Sequence, residues 1–199
     1  MSRRSVRLSC RWRLIKPMPA LDPIAIGAAI ALLFFVFVRA VLHKVTDFGG
    51  LRQTVVDYRL VPEGSAGPVA AGLTGAEILS LALLAAPVSR GFGALAAALL
   101  LLGYGAVMAI NLARGRTSID CGCGGAGQSV SWALVGRNML LAALTAIAAA
   151  PVVPRRLGAF DIVLIPTIVV AAGLLLLVSE RLVQTFSHIR ALGADRRSY

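Results

Sequence analysis

The sequence has few charged and few aromatic residues for its length. Of its 199 residues, 15% are charged and 6% are aromatic, whereas 58% are hydrophobic. Soluble domains contain about 25% charged and about 45–50% apolar residues, so this composition is not that of a soluble domain. Disorder is excluded because it requires low hydrophobicity. Three cysteines are too few for a secreted module held together by disulfides.

Acidic residues are also scarce. The chain has nine Asp and Glu residues against 20 Lys and Arg residues, which gives a formal net charge of +11. Nucleic-acid-binding proteins can be this basic, but they do not carry so much apolar sequence. The charge is better explained by a membrane protein whose arginines lie in loops and at the chain ends. We therefore expect membrane lipid, and no nucleic acid, as a partner.

Five apolar stretches are each long enough to cross a bilayer, for which a helix needs about 20 apolar residues. They cover residues 24–42, 68–87, 91–113, 130–153 and 162–179. Three of them contain one charged residue each, namely Arg39, Glu77 and Arg137, and the other two contain none. The sequence therefore predicts an all-α integral membrane protein, a bundle of about five transmembrane helices with short connections.

The predicted organisation has three parts. We expect a basic cytoplasmic segment at residues 1–21, a transmembrane helical bundle at 22–182 and a polar tail at 183–199. The first apolar stretch is longer than the core of a cleaved signal peptide, which has about 7–15 residues, so we expect it to remain as a helix. Small residues such as Gly72 and Gly75 are expected to let the helices pack closely.

The connection at residues 43–67 predicts an additional helix. Phe48, Leu51, Val55 and Tyr58 recur at intervals of three and four residues, which places them on one helical face. We expect this helix to lie at the membrane interface and to cover the bundle. Simple packing of a connector gives the same pattern and is the alternative.

Basic residues determine the expected orientation. Six of them precede Asp22, the first acidic residue, and positive charge favours the cytoplasmic side. Over all loops and tails the two sides hold equal numbers of basic residues, so the dense N-terminal cluster decides the assignment. The N-terminus is expected inside, and the connections at 43–67 and 114–129 are expected outside.

Cys121 and Cys123 are the residues that indicate chemistry most clearly. Gly122 between them allows the bend that a disulfide needs, with Cα atoms about 4.4–6.8 Å apart. So small a ring is strained, and strained disulfides are labile, which favours thiol–disulfide exchange. A metal site is an alternative, although zinc and iron–sulfur sites usually take four ligands. A structural disulfide is another, although closing so short a loop adds little stability.

Charged residues surround the cysteine pair in sequence. Arg114 and Arg116 precede it, Asp120 adjoins it and Arg137 follows it. Positive charge nearby stabilises a thiolate, the reactive form of cysteine. Cys10 lies in the predicted cytosolic segment, where thiols stay reduced, and we assign it no role.

Glu77 lies near the middle of the second apolar stretch and needs a partner, because ionisable groups inside a membrane are costly. At a rise of about 1.5 Å per residue, Arg39 and Arg137 lie at depths from which an arginine can reach it. We therefore expect Glu77 to pair with one of these arginines. The pair either fixes helix register or relays protons beneath the cysteines, and a transporter or metal carrier centred on Glu77 is a further hypothesis.

Five sequence features occur in a characteristic order. They are His43-Lys44, Asp47-Phe48 with Tyr58-Arg59-Leu60-Val61-Pro62, Arg114-Gly115-Arg116, Asp120-Cys121-Gly122-Cys123 with Gly125, and Ser131-Trp132 with Arg137-Asn138. In this order they resemble the MauE/DoxX membrane redox family, and within it the methylamine-utilisation MauE branch. The resemblance covers about residues 22–182. Gly124 departs from it, since relatives often carry an aromatic residue there.

The resemblance implies a multi-pass protein of the bacterial inner membrane that matures methylamine dehydrogenase. It implies a role in processing, export or disulfide formation of the small (beta) subunit of that enzyme. The implied partners are this subunit and a thioredoxin-like protein of the MauD type. Cys121 and Cys123 would act as nucleophile and resolver of a thiol–disulfide oxidoreductase facing the periplasm, without a cofactor or metal. A non-catalytic assembly or export partner is the alternative.

Overall fold

The computed structural model describes residues 20–116, 119, 130–154 and 158–195. In chain order its elements are α1 (Pro23–Thr46), α2 (Phe48–Asp57), a 3-10 turn (Glu63–Ser65), α3 (Ala66–Ala85), α4 (Arg90–Ala113), α5 (Trp132–Ala149) and α6 (Ala159–Asp195). These described residues contain no β-strand. All the helices except α2 include a span that is long and apolar enough to cross a membrane. The predicted all-α, multi-pass membrane bundle is therefore confirmed.

The chain turns sharply at Asp47, between α1 and α2. The backbone N–H of Asp47 completes the last turn of α1, and its carboxylate accepts a hydrogen bond from the Gly50 N–H at 2.8 Å. This side chain caps the start of α2, where backbone N–H groups have no partner within the helix. Leu51 and Tyr58 are buried on the bundle, whereas Phe48 is exposed. The helix predicted from the apolar pattern is present, and it covers the bundle through Leu51 and Tyr58.

The main core lies where α1, α3, α4 and α5 meet. Each of these helices contributes large buried side chains, namely Leu33, Phe37, Leu84, Leu101 and Leu141. Lipid tails are as apolar as these side chains, so the helices are held together by close van der Waals packing. α6 packs on α1 at the edge of this core, where its Leu176 contacts the cluster, and it continues through Pro166 to Asp195.

Backbone pairing and one side chain hold one end of the bundle together. The Leu21 N–H donates to the Pro151 carbonyl at 2.8 Å, and the Val153 N–H donates to the Leu21 carbonyl at 2.9 Å. The Arg90 guanidinium donates to the Ala150 carbonyl at 2.8 Å. The start of α1, the start of α4 and the end of α5 are therefore linked at this end.

The opposite end carries a second apolar cluster, which fixes both ends of the cysteine-containing segment. Its buried members are Tyr58, Met108, Ile119, Val130 and Leu134. The Val130 N–H donates to the Ile119 carbonyl at 3.0 Å. Ile119 and Val130, which flank residues 120–129, are thus held together against this end of the bundle.

α3 and α4 approach each other closely at Gly93. A Cβ atom there would lie 2.5 Å from the Leu84 backbone nitrogen and 2.7 Å from the Leu83 carbonyl carbon. Gly72 and Gly75, by contrast, are exposed and have open space around them. The close helix contact therefore uses a glycine of α4, and the expectation for the two α3 glycines is wrong.

Gly93→Ala is expected to destabilise the protein by about 1–3 kcal/mol, as overpacking of a close contact does. The atoms that the new methyl group would meet belong to the backbone of α3, so the two helices must move apart. Gly91→Ala, on the same turn of α4 but facing open space, is the matched control. Thermal unfolding of the purified variants in detergent measures the difference, and equal melting temperatures would contradict the close contact.

Candidate functional site

A buried polar cluster joins three of the spanning helices. Lys44 of α1 and Glu77 of α3 form an ion pair, and their side chains are only 2% and 1% exposed. Tyr104 of α4 donates its hydroxyl hydrogen to Glu77 Oε1 at 2.7 Å and accepts a hydrogen bond from Lys44 Nζ at 3.1 Å. Each charge is therefore both paired and hydrogen-bonded, which buried ions require.

The cation that pairs with Glu77 is Lys44, so the prediction of Arg39 or Arg137 is wrong. The sequence places Lys44 just beyond the first apolar stretch, in the outer connection. In the structure α1 continues to Thr46, and α2 then packs against α3. Lys44 is thus buried within the bundle, where its apolar stem packs and its ammonium meets the carboxylate.

A small cavity lies beside the Glu77 carboxylate. Its volume is about 20 Å³, which is room for about one water molecule. Arg137 and Asn138 of α5 line it together with Glu77 and Tyr104. Glu77 Oε2 accepts no hydrogen bond from the described residues. Arg137 and Asn138, which form one of the sequence motifs, therefore line the same small cavity as Glu77 inside the bundle.

A second polar contact lies at the point where α4 ends and the cysteine-containing segment begins. The Arg116 guanidinium donates to Asn111 Oδ1 at 3.1 Å, and the Arg116 N–H donates to the Asn111 carbonyl at 3.0 Å. Asn111 is fully buried, and its Nδ2 donates to the Val107 carbonyl at 3.1 Å. This fixes Arg116 at the end of the bundle that carries the cysteine segment, whereas Arg114 is exposed there.

The remaining predicted site residues are Arg39 and the residues of the cysteine segment. Asp120, Cys121 and Cys123 lie outside the described residues. Arg39 lies on α1 and is half-buried. Within the described ranges, no group of three or more His, Cys, Asp or Glu side chains is placed to hold a metal ion.

Sequence reasoning did not single out Lys44, Tyr104 or Asn111 as site residues. Tyr104 and Asn111 are polar groups in an apolar span without charge, and a polar group at membrane depth needs a hydrogen-bonding partner. That requirement is the sequence signal by which these two residues could have been found. Lys44 gave a weaker signal, because a lysine at the end of an apolar stretch usually reaches outward to the interface.

The described site lies within the part of the chain that matches a known family. Residues 21–151 match the family described as methylamine utilisation protein MauE. The chain belongs to the MauE family. The matched region runs from the start of α1 to just beyond α5, so it includes the buried cluster of Lys44, Glu77 and Tyr104 as well as the cysteine segment. The resemblance predicted from the short motifs is confirmed.

Curated MauE proteins from three bacteria are similar to this chain. The methylamine utilization protein MauE of Paracoccus denitrificans is 39% identical over 127 residues, which are 62% of this chain and 68% of that protein. The Methylorubrum extorquens protein of the same name is 36% identical over 145 residues, covering 71% and 77% of the two chains. The Paracoccus versutus protein is 37% identical over 135 residues, covering 67% and 72%. No solved structure matches the chain.

Proposed function

We propose that this MauE-family protein acts in methylamine utilisation, as an inner-membrane factor that matures the small subunit of methylamine dehydrogenase by thiol–disulfide exchange. The observation that carries the proposal is the family match over residues 21–151, a region that contains the Cys121-Gly122-Cys123 sequence. The relatives bear the name of the methylamine utilisation system. The small subunit and a thioredoxin-like protein of the MauD type are the proposed partners.

The structural support for a reactive segment is the way in which its two ends are fixed. Ile119 and Val130 pack in the apolar cluster with Tyr58 and are hydrogen-bonded to each other. Cys121 follows Ile119 by two residues, and two residues of chain span at most about 7 Å. The chain length therefore limits how far Cys121 lies from the packed Ile119, and the connection between two helices on which it occurs is the kind of segment that commonly carries function.

The proposed chemistry is an exchange of one disulfide for another. The thiolate of one cysteine attacks a disulfide sulfur of the partner, which forms a mixed disulfide and releases one partner thiolate. The second cysteine then attacks the mixed disulfide, closes the Cys121–Cys123 bond and releases the second partner thiolate. The partner gains two electrons and the cysteine pair loses them, and the reverse sequence reduces the pair. Arg114 and Arg116 favour the thiolate through their positive charge.

The proposed orientation has a cytoplasmic N-terminus and a periplasmic cysteine segment. Lys44, one of the basic residues of the outer connection at 43–67, is buried in the bundle. Without it, the cytoplasmic side holds one more basic residue than the periplasmic side, which agrees with the dense N-terminal cluster. A periplasmic position suits the proposed substrate, because disulfides persist in that compartment.

A transporter or metal carrier centred on Glu77 is less well supported. The carboxylate is paired with the ammonium of Lys44, which repels an incoming cation. The described residues around it do not form a set of metal ligands. We therefore treat the cluster as part of the membrane interior that supports the cysteine segment.

Trapping of a mixed disulfide tests the exchange step. We expect either Cys121→Ser or Cys123→Ser, whichever removes the resolving cysteine, to accumulate a covalent complex with the thioredoxin-like partner or the small subunit, because the first step then cannot be completed. Blocking free thiols in cells, followed by non-reducing electrophoresis and mass spectrometry, identifies the complex. The double-serine variant is the control. A complex that persists in that control, or the absence of any complex in both single variants, would refute the exchange.

A further inference from the structure

A large apolar groove opens between α2, α3 and α4, and we call it the lateral groove. Its volume is about 530 Å³, within the range of about 300–1,000 Å³ that is typical of small-molecule sites. Its walls include Leu51, Val55, Leu73, Leu79, Leu99 and Val107. Leu79 and Leu99 are exposed on spanning helices, so the groove opens toward the lipid.

The lateral groove has one polar end, formed by Lys44 and Tyr104. Both residues also line the small cavity that holds Glu77, so they separate the lipid-facing groove from the polar interior. An ammonium group has three N–H donors. Two of those of Lys44 are directed at Glu77 and Tyr104, which leaves one for an acceptor in the groove.

The charges of Lys44 and Glu77 determine whether a charged or a neutral acceptor suits this end of the groove. The Glu77 carboxylate offsets the ammonium of Lys44, so this end of the lateral groove carries no net charge. An anionic head group would bring an uncompensated charge into an apolar site, which is costly. A neutral carbonyl oxygen takes the remaining N–H without that cost. The groove therefore fits an apolar molecule that carries a neutral hydrogen-bond acceptor.

We propose that the lateral groove binds a membrane-soluble quinone, with one ring carbonyl at Lys44 and the apolar tail along α3 and α4. This inference rests on the proposed thiol–disulfide function, because a Cys121–Cys123 pair that has been reduced by the reverse exchange needs an electron acceptor to be oxidised again. The groove also shares Tyr58 with the apolar cluster at the end of the bundle. That cluster also holds Ile119, two residues before Cys121.

The proposed step is balanced between the dithiol and the quinone. Formation of the Cys121–Cys123 disulfide removes two electrons and two protons from the two thiols. The quinone takes up two electrons and two protons on its carbonyl oxygens and becomes the quinol. Lys44 donates a hydrogen bond to one of these oxygens, which stabilises the negative charge that develops there during reduction.

Photolabelling of the full chain tests the binding site. The probe is an azide-bearing analogue of decylubiquinone, added to the protein in phosphatidylcholine–phosphatidylglycerol nanodiscs. We expect cross-links on α3 and α4 at the lateral groove, and we expect excess decylubiquinone to abolish them although phospholipid is present throughout. Labelling that decylubiquinone does not displace, or that is spread evenly over the lipid-facing helices, would mean that the groove holds only phospholipid and would overturn the proposal.

Gly103→Leu fills the lateral groove without disturbing a helix contact. Gly103 lines the groove, is exposed and has open space where a side chain would be placed. Gly75→Leu is the matched control, because Gly75 is equally exposed and unobstructed but does not line the groove. We expect Gly103→Leu to lose the displaceable labelling and Gly75→Leu to retain it. Equal labelling of the two variants would contradict the assigned position.

The variant with serine at both Cys121 and Cys123 separates this proposal from the proposed function. It should be labelled as strongly as the wild type, because the substitutions leave the named walls of the groove and Lys44 unchanged, but it should not reduce decylubiquinone. Reduction is followed by the loss of quinone absorbance after the prereduced protein is added. If the wild type is labelled but does not reduce the quinone, the acceptor role is refuted while thiol exchange with protein partners stands. If mixed disulfides fail to form but displaceable labelling persists, the exchange function fails and the binding site stands.

Discussion

The Lys44→Met variant is expected to have a much smaller folded fraction than the wild type, because Glu77 is left buried without a counter-charge. Methionine keeps the apolar stem of the lysine, so the change removes little besides the ammonium. Removing one partner of a buried ion pair costs about 3–5 kcal/mol, a large share of the about 5–15 kcal/mol that stabilises a typical folded protein. Size-exclusion chromatography and thermal unfolding of the detergent-solubilised protein measure the loss.

The double variant Lys44→Met/Glu77→Met is expected to recover the stability. Replacing a whole buried ion pair by apolar side chains is often neutral, or stabilising by about 1–4 kcal/mol. Arg52→Met, which removes an exposed cation from α2, is the control for loss of positive charge alone. If Lys44→Met is as stable as Arg52→Met, then Lys44 and Glu77 do not form a buried pair in the membrane.

The same double variant distinguishes the two roles of the ion pair. If the pair serves only to fix the register of α1 against α3, a folded double variant retains function. We expect it to be folded but inactive, because Lys44 is the hydrogen-bond donor at the polar end of the lateral groove. Maturation of methylamine dehydrogenase in cells that carry this variant is the readout, and full activity would assign the pair to structure alone.

Serine at Cys121 and Cys123 is expected to abolish maturation of methylamine dehydrogenase. Serine is close to cysteine in size, so folding should be unaffected, but its hydroxyl neither forms nor exchanges disulfides. Each single variant should stop the reaction, since one cysteine can form a mixed disulfide but cannot resolve it. Active dehydrogenase and the amount of small subunit should both fall to the level without the gene, measured in a host that lacks its own MauE gene, grows on another carbon source and is induced with methylamine.

Two further variants serve as controls for the serine substitutions. Cys10→Ser lies outside the matched region and should leave maturation unchanged. Glu77→Gln removes the charge from the buried carboxylate while it leaves both cysteines in place. A transporter or metal carrier would depend on Glu77 and not on the cysteines, so loss with Glu77→Gln together with full activity of the serine variants would favour that function.

The spanning helices could be predicted from the sequence because their signal is local. An uninterrupted apolar run long enough for a bilayer specifies a helix whatever its neighbours are. α4, which has no internal charge, was predicted within one residue at its start and at the correct end. The helix α2 could be predicted from the helical spacing of its apolar residues. Leu51 and Tyr58 are buried, as expected for residues on the face that packs on the bundle. The polar tail expected at 183–199 is helical through Asp195, since α6 runs past the fifth apolar stretch.

The partner of Glu77 could not be predicted in the same way, because it depends on how helices pack. The prediction of Arg39 and Arg137 used only the depth of each residue along its own helix. Depth does not determine which faces of two helices pack together. Lys44 became available only because α1 extends to Thr46 and α2 then turns back over the bundle. Arg137 does lie near Glu77, but across a small cavity and not as its ion-pair partner.

The most direct test of thiol–disulfide exchange is the amount of active methylamine dehydrogenase in cells whose only MauE-family protein is the Cys121→Ser/Cys123→Ser variant. We expect activity no higher than in cells without the gene, while immunoblotting shows the variant in the membrane at the wild-type level. Wild-type dehydrogenase activity in those cells would contradict thiol–disulfide exchange and would leave the protein with a non-catalytic role in assembly or export.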